Sequence, residues 1–254
     1  MTVRTLVVLG DSLMFWGQNE VLGTEHPATA PHRAAAHLSA LTGETWEAAN
    51  VSVAGWCATD LLKVLRGDAD VRATVARADA VFLATTSKDG MLTPFPRPAR
   101  AVIGRVPKKH RRRVVHALRR VVAKVTSHQF PYTRPSLFRR CWCSTLDIVR
   151  ELAPAATITC ANPTGAYGPQ TIHNQPENWR TPEGHPAMVQ ALTAATGIPA
   201  VDLMAISDEW FRHHEIAPDY LHWPNELHDL IGRAMAELVA ESMSTRRDPV
   251  SVAA

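Results

Sequence analysis

Five apolar, β-branched runs punctuate the chain, at residues 5–10 (TLVVLG), 46–55 (WEAANVSVAG), 80–86 (AVFLATT), 156–161 (ATITCA) and 198–203 (IPAVDL). Runs with little alternation suit strands covered on both faces, as in parallel sheets. Between them apolar residues recur at helical spacing, as in 31–43 (PHRAAAHLSALTG) and 188–197 (MVQALTAATG), each closing on a glycine that stops the helix. A final helix is expected over 226–243, with Leu227, Leu230, Ile231, Met235 and Leu238 on its inner face. Strands alternating with helices predict an α/β domain of three layers, about five parallel strands lying between two layers of helices.

One segment breaks this rhythm. Residues 93–140 stand where a single crossover of ordinary length would suffice. The opening, TPFPRPAR, is interrupted by proline. Further on, KKHRRRVVHALRRVVAKV sets Val114, Val115, Leu118, Val121, Val122 and Val125 in an apolar stripe opposite a basic face. From Gly90 to Leu146 there are 14 Lys and Arg and no acidic residue, whereas the rest of the chain carries 13 basic against 24 acidic residues. The net charge of +3 therefore hides a basic insertion after the third strand. Four readings stand side by side. A solvated helix needs no ligand. Arg111, Arg112 and Arg113 would suit a phosphate or carboxylate on a small substrate. The amphipathic helix would suit peripheral contact with a membrane surface. Nucleic acid is not expected as a partner, because no reader motif accompanies the charge.

With 254 residues, 46% hydrophobic and 20% charged, the composition suits one folded domain over 1–246, with 247–254 as a frayed tail. No apolar run approaches the roughly 20 residues of a membrane span. The chain enters its first strand without an apolar leader, so a cytoplasmic protein is expected. Cys57, Cys141, Cys143 and Cys160 are too few for a disulfide framework, and CWC is not a zinc spacing. His213 and His214 beside Glu215 lack the spacing of a helical metal motif. Neither a metal nor another cofactor is expected.

Two distant stretches carry the parts of a nucleophilic site. LVVLGDSLMFWG runs from the first strand through Gly10 to Asp11 and Ser12, at what would be the carboxyl edge of a parallel sheet, where open α/β folds hold their ligands. Ser12 reads as a nucleophile or, with Asp11, as a helix cap, and the stretch alone leaves both open. Near the other end, APDYLHWPNELHDLIG places Asp219 and His222 three residues apart, ahead of the last helix. A serine hydroxyl needs a base within hydrogen-bond reach, and that base needs an acid to hold its tautomer. A doubly wound sheet can bring both ends of the sequence to one rim.

Together these blocks resemble the GDSL or SGNH hydrolases: Gly10-Asp11-Ser12 after the first strand, Gly55 closing NVSVAG, and the D-x-x-H of DYLHWPN. The resemblance implies a flavodoxin-like SGNH fold with Ser12 as nucleophile, His222 as general base and Asp219 as the acid that orients it. It also implies an oxyanion hole formed by the backbone N–H groups of Ser12 and Gly55. The third block departs from the family, which usually carries G-x-N-D with the Asn side chain as a further oxyanion donor; here TSKD puts Lys88 in that place. An ammonium on a four-carbon stem is mobile where an amide is fixed. One oxyanion donor is worth about 3–4 kcal/mol. Asn162, in CANPTG, is an alternative donor or an Asx-turn residue ahead of Pro163.

More narrowly, MLTPFPRPARAVIGRVPKKHRRRVVHALRR and FPYTRPSLFRR look like the Pro- and Arg-rich insertion of the actinobacterial diglucosylglycerate octanoyltransferases, a group that also lacks the block-three asparagine. That resemblance implies acyl transfer, through an acyl-Ser12 intermediate, from a thioester donor such as an acyl-coenzyme A to a sugar or glucosylglycerate hydroxyl. A GDSL-type esterase or thioesterase, and a catalytically silent binding protein on the same fold, are the alternatives. Candidate substrate contacts are Asp11, Trp16, Trp56, Asn162 and Trp223, with Arg111, Arg112 and Arg113 from the insertion. The three indoles read equally as packing. His173 and His185 fall in a polar loop over 170–186, a candidate lid, and His228 is expected on the surface of the last helix.

Overall fold

The computed structural model describes residues 3–17, 21–84, 87–90, 92–93, 130–162, 185–214 and 222–247, with scattered positions between 99 and 118. Five strands form a parallel sheet: β1 (Val3–Gly10), β2 (Thr45–Ser52), β3 (Ala80–Leu83), β6 (Thr157–Asn162) and β7 (Ala200–Asp202). Their order is β2-β1-β3-β6-β7, the flavodoxin order. In that order the winding reverses at β1 and β3, which opens a crevice at their carboxyl ends. β1 pairs with β2 from Val3↔Thr45 to Gly10↔Ser52 and with β3 from Leu6↔Ala80 to Leu9↔Leu83.

The continuous apolar run of β1 follows from burial on both sides. Leu6, Val7, Val8 and Leu9 have no exposed surface, and successive side chains point to opposite faces. Leu6 and Val8, with Phe82, join a core beneath α1 (Ala30–Thr42), α7 (Leu203–His213) and α8 (Asn225–Arg247). Val7 and Leu9, with Val81 and Leu83, join a second core beneath α2 (Ala58–Gly67), α3 (Ala69–Ala76), α5 (Pro135–Leu152) and α6 (His185–Thr196). The result is the three-layer α/β/α arrangement expected from the runs. Three strands are shorter than their runs: β2 stops at Ser52, β3 at Leu83, and β7 keeps three residues, whereas β1 begins at Val3, two residues ahead of its run.

The inner face of α8 differs from expectation. Leu227, Ile231 and Met235 are buried, but Leu230 is 40% exposed and His228 is fully buried. The reason is how closely α8 approaches α1. A Cβ at Gly232 would stand 2.6 Å from the Arg33 Cβ and 2.9 Å from the Ala30 carbonyl oxygen. The contact stripe therefore runs through Gly232 and the row four residues to either side, which takes in His228 and Ala236 and turns Leu230 outward.

A short helix, α4 (Ser87–Gly90), follows β3, and two short strands, β4 (Leu92–Thr93) and β5 (Phe130–Pro131), pair antiparallel. This pair clips together the two ends of the segment between them. Residues 135–140, part of the basic insertion by composition, form the first turns of α5, with Phe138 fully buried. Of the expected stripe, Val114 is half-buried and Leu118 exposed. Val115, Val121, Val122 and Val125 lie outside the described residues. Arg113 is exposed, and Arg111 and Arg112 also fall outside them. Among the described residues no helix is long and apolar enough to cross a membrane.

Candidate active site

The site grows from the end of β1. A Cβ at Gly10 would lie 2.4 Å from the Met14 Cγ and 2.8 Å from the Ser52 Oγ, so only glycine lets the strand close against the turn that follows. The Asp11 carboxylate accepts from the Leu13 N–H at 3.0 Å and caps a single 3-10 turn, Ser12–Met14. From β2 the Asn50 amide donates to the carbonyl oxygens of Met14 (3.1 Å) and Thr24 (3.3 Å). Ser52 donates to the Asn50 Oδ1 at 2.5 Å. Sequence reasoning missed this brace. Its signal was a polar pair two residues apart, hence on one face, within an otherwise apolar run.

His222, from the distant end of the chain, meets Ser12 across this turn. Its Nε2 lies 3.0 Å from the Ser12 Oγ, although 210 residues separate them. Ser12 is half-buried and His222 is 8% exposed. The Trp16 ring stacks on the His222 ring, with centroids 4.7 Å apart and 17° between planes. Asp219 lies outside the described residues.

The other candidates separate. Trp223 has no exposed surface, so its ring packs in the core instead of lining a pocket. Its backbone runs parallel beside Gly17, which draws the His222 segment against the nucleophile turn and explains why the indole faces inward. Asp11 is likewise buried and committed to its cap. Burial pushes its carboxyl up to about 6, while the Leu13 N–H and the Lys88 charge pull it down. Trp56 is half-buried against the second core. Asn162 is buried at the end of β6, two strands or about 10 Å from β1. Its Oδ1 has no hydrogen-bond partner among the described residues. His185 opens α6 and packs edge-on against Phe138 at 4.7 Å, and His173 lies outside the described residues.

Lys88 is held at its head. The ammonium donates to the Gly55 carbonyl oxygen and lies 4.4 Å from the centre of the Tyr132 ring. Gly55 has φ of +75°, and a Cβ there would stand 3.1 Å from the Lys88 Nζ. Glycine is thus needed twice, for the backbone and for the cation. Tyr132 reaches this position because it follows β5. The next residue, Thr133, donates its N–H to the Asp89 carbonyl oxygen at 3.0 Å. The mobility that a lysine stem implies is removed by two groups, the Gly55 carbonyl ahead of the insertion and the Tyr132 ring near its far end.

Asp89 was not singled out from sequence. It is fully buried, and its Oδ2 accepts from the Ala58 N–H at 2.8 Å, at the start of α2. Its Oδ1 finds no partner among the described residues. Burial pushes this carboxyl up to about 7. The Thr133 side chain and the Ala58 N–H oppose the rise, Asp11 adds to it, and Lys88 pulls it down.

His228, expected at the surface, is instead a buried link. Its Nδ1 accepts from the Ala30 N–H at 3.2 Å, so the proton sits on Nε2, which donates to the Trp16 carbonyl oxygen at 3.2 Å. Burial holds the imidazole down to about 4; the Trp16 carbonyl opposes that and His222 adds to it.

The three-layer fold with its parallel sheet in this order is shared with solved GDSL-like lipases and esterases. An acetylxylan esterase from Geobacillus stearothermophilus superposes with a TM-score of 0.59 over 93% of this chain and 94% of its own, at 16% identity. Along nearly its whole length the sequence resembles two diglucosylglycerate octanoyltransferases. The one from Mycolicibacterium hassiacum is 26% identical over 246 residues, 94% of this chain and 95% of the relative. The one from Mycobacterium tuberculosis is 25% identical over 244 residues, 93% and 92%. No family model matches the chain.

Proposed function

We propose that the chain is a serine acyltransferase that moves a medium-chain acyl group from a thioester to a sugar hydroxyl. The observation that carries this is the 3.0 Å approach of the His222 Nε2 to the Ser12 Oγ, on a chain that resembles octanoyltransferases from end to end. His222 takes the Ser12 proton as Oγ attacks the thioester carbonyl carbon, whose π electrons move onto oxygen. Collapse of that oxyanion expels the thiolate, which takes the proton from His222 and leaves as thiol. An acceptor hydroxyl then attacks the acyl-Ser12 carbonyl while His222 removes its proton, and Oγ departs with that proton. Asp219 is the residue that would orient His222.

The Ser12 and Gly55 N–H groups stabilise the oxyanion in this reading. The Lys88 ammonium, held between the Gly55 carbonyl and Tyr132, adds a cation beside them. The donor and acceptor are small molecules. In an esterase the same acyl-enzyme would be drained by water, so the acceptor decides between the two activities. The test incubates the protein with octanoyl-coenzyme A, with and without a glucosylglycerate acceptor, and resolves the products. An octanoyl ester of the sugar is expected; free octanoate as the main product at saturating acceptor would overturn the transferase assignment.

A further inference from the structure

We infer that His228 is a positioning residue for the general base: it fixes the Trp16 backbone so that the Trp16 indole forms the wall against which the His222 ring lies. This rests on the reading of His222 as the base.

A fully buried position on α8 would ordinarily take an aliphatic side chain, and its neighbours Leu227 and Ile231 are aliphatic. His228 stands there because two backbone groups need partners. The Ala30 N–H belongs to the first turn of α1, where no intrahelical acceptor exists. The Trp16 carbonyl leaves the nucleophile turn. A neutral imidazole offers an acceptor on one side and a donor on the other, and it meets both at 3.2 Å. The Trp223 ring closes the third side edge-on, 5.5 Å away and at 72°.

The link continues toward the chemistry. Trp16 is anchored at its carbonyl by His228, while its own N–H donates to the Ser12 carbonyl oxygen at 2.8 Å. With its backbone held at both ends, the indole lies flat on the His222 imidazole, and that imidazole points its Nε2 at Ser12. A ring free to turn about its Cβ–Cγ bond would carry Nε2 away from Oγ. A flat neighbour at stacking distance confines that turn. The path from His228 to the reacting proton is thus a carbonyl, an indole and an imidazole, each in contact with the next.

The test compares His228→Phe, His228→Gln, Trp16→Leu and the double variant His228→Phe/Trp16→Leu, using p-nitrophenyl octanoate turnover. Phenylalanine keeps the volume and loses both hydrogen bonds; the glutamine amide can replace donor and acceptor. Expected are a fall in kcat of about tenfold or more for His228→Phe with KM changed less than about threefold. His228→Gln should recover most of the loss. The double variant should be no worse than the poorer single one, because both act on one contact. Losses that multiply in the double variant would show that His228 serves packing alone. Native kcat in Trp16→Leu would equally overturn the inference, and this variant stands even if His228→Phe does not fold. Ser12→Ala, run alongside, separates the two readings: if it kept native turnover, the nucleophile assignment would fail and this inference with it.

Discussion

Replacing Asp89 with asparagine isolates what burial does to a carboxyl beside the site. In the folded chain this group has no exposed surface and holds its proton up to about pH 7, against an ordinary value of 3.8. The folded state therefore binds the proton more tightly than the unfolded one. Its contribution to stability is fully present below about pH 4 and is lost as pH rises through about 7. At about 1.4 kcal/mol per tenfold difference in proton affinity, the loss between those limits is about 4 kcal/mol, an upper figure for a group that can relax. Lys88 works in the opposite direction, since an ion pair would favour the charged form, but desolvation is the largest influence and Lys88 the smallest. Asparagine keeps an acceptor for the Ala58 N–H and carries no titrating proton. Urea unfolding followed by tryptophan fluorescence at pH 5, 6, 7, 8 and 9 should show Asp89→Asn gaining on the native chain as pH rises, by a few kcal/mol across the range. Any offset from the new N–H donors is independent of pH, so the slope is the readout. A flat difference, or a native chain that gains on the variant with rising pH, would mean that the Lys88 charge governs Asp89 and that the burial argument is wrong.

Two further substitutions probe the surroundings of Ser12. Asn50→Ala removes the donor to the Met14 and Thr24 carbonyls and should lower stability by about 1–3 kcal/mol, with kcat falling as the nucleophile turn loosens. Denaturant melts and octanoyl ester turnover check both. Lys88→Met should reduce kcat by roughly 100-fold with little change in KM, since an oxyanion exists only along the reaction path. An effect confined to KM would assign Lys88 to ground-state binding instead.

The architecture was legible because its physics is local. A strand buried on both faces must be apolar at successive positions, and β1 is, from Leu6 to Leu9. Gly10-Asp11-Ser12 and the His222 block could be paired because a doubly wound sheet delivers loop residues to one rim. What escaped depends on distant partners. His228 looks like any polar residue on a surface helix until Gly232 sets the close approach of α1 and turns that row inward. Trp223 reads as a pocket wall as readily as a core ring, and the single parallel bridge to Gly17 decides it. Lys88 looks mobile because Tyr132, the ring that holds its ammonium, stands 44 residues further along, near the far end of the insertion, and no local pattern joins the two. The brace from Asn50 was hidden for a different reason: a polar residue in a strand reads as a flaw in the pattern until its partner, the turn after Ser12, is in view.

Activation of an early alcohol by a late imidazole is tested most directly by mixing the native chain with octanoyl-coenzyme A in the absence of acceptor and analysing the quenched protein by peptide mass spectrometry. An octanoyl ester on Ser12 is expected, absent in Ser12→Ala and formed far more slowly in His222→Ala. Thioester consumption at the native rate by Ser12→Ala, or an octanoyl group found on another side chain such as Cys57, would contradict it.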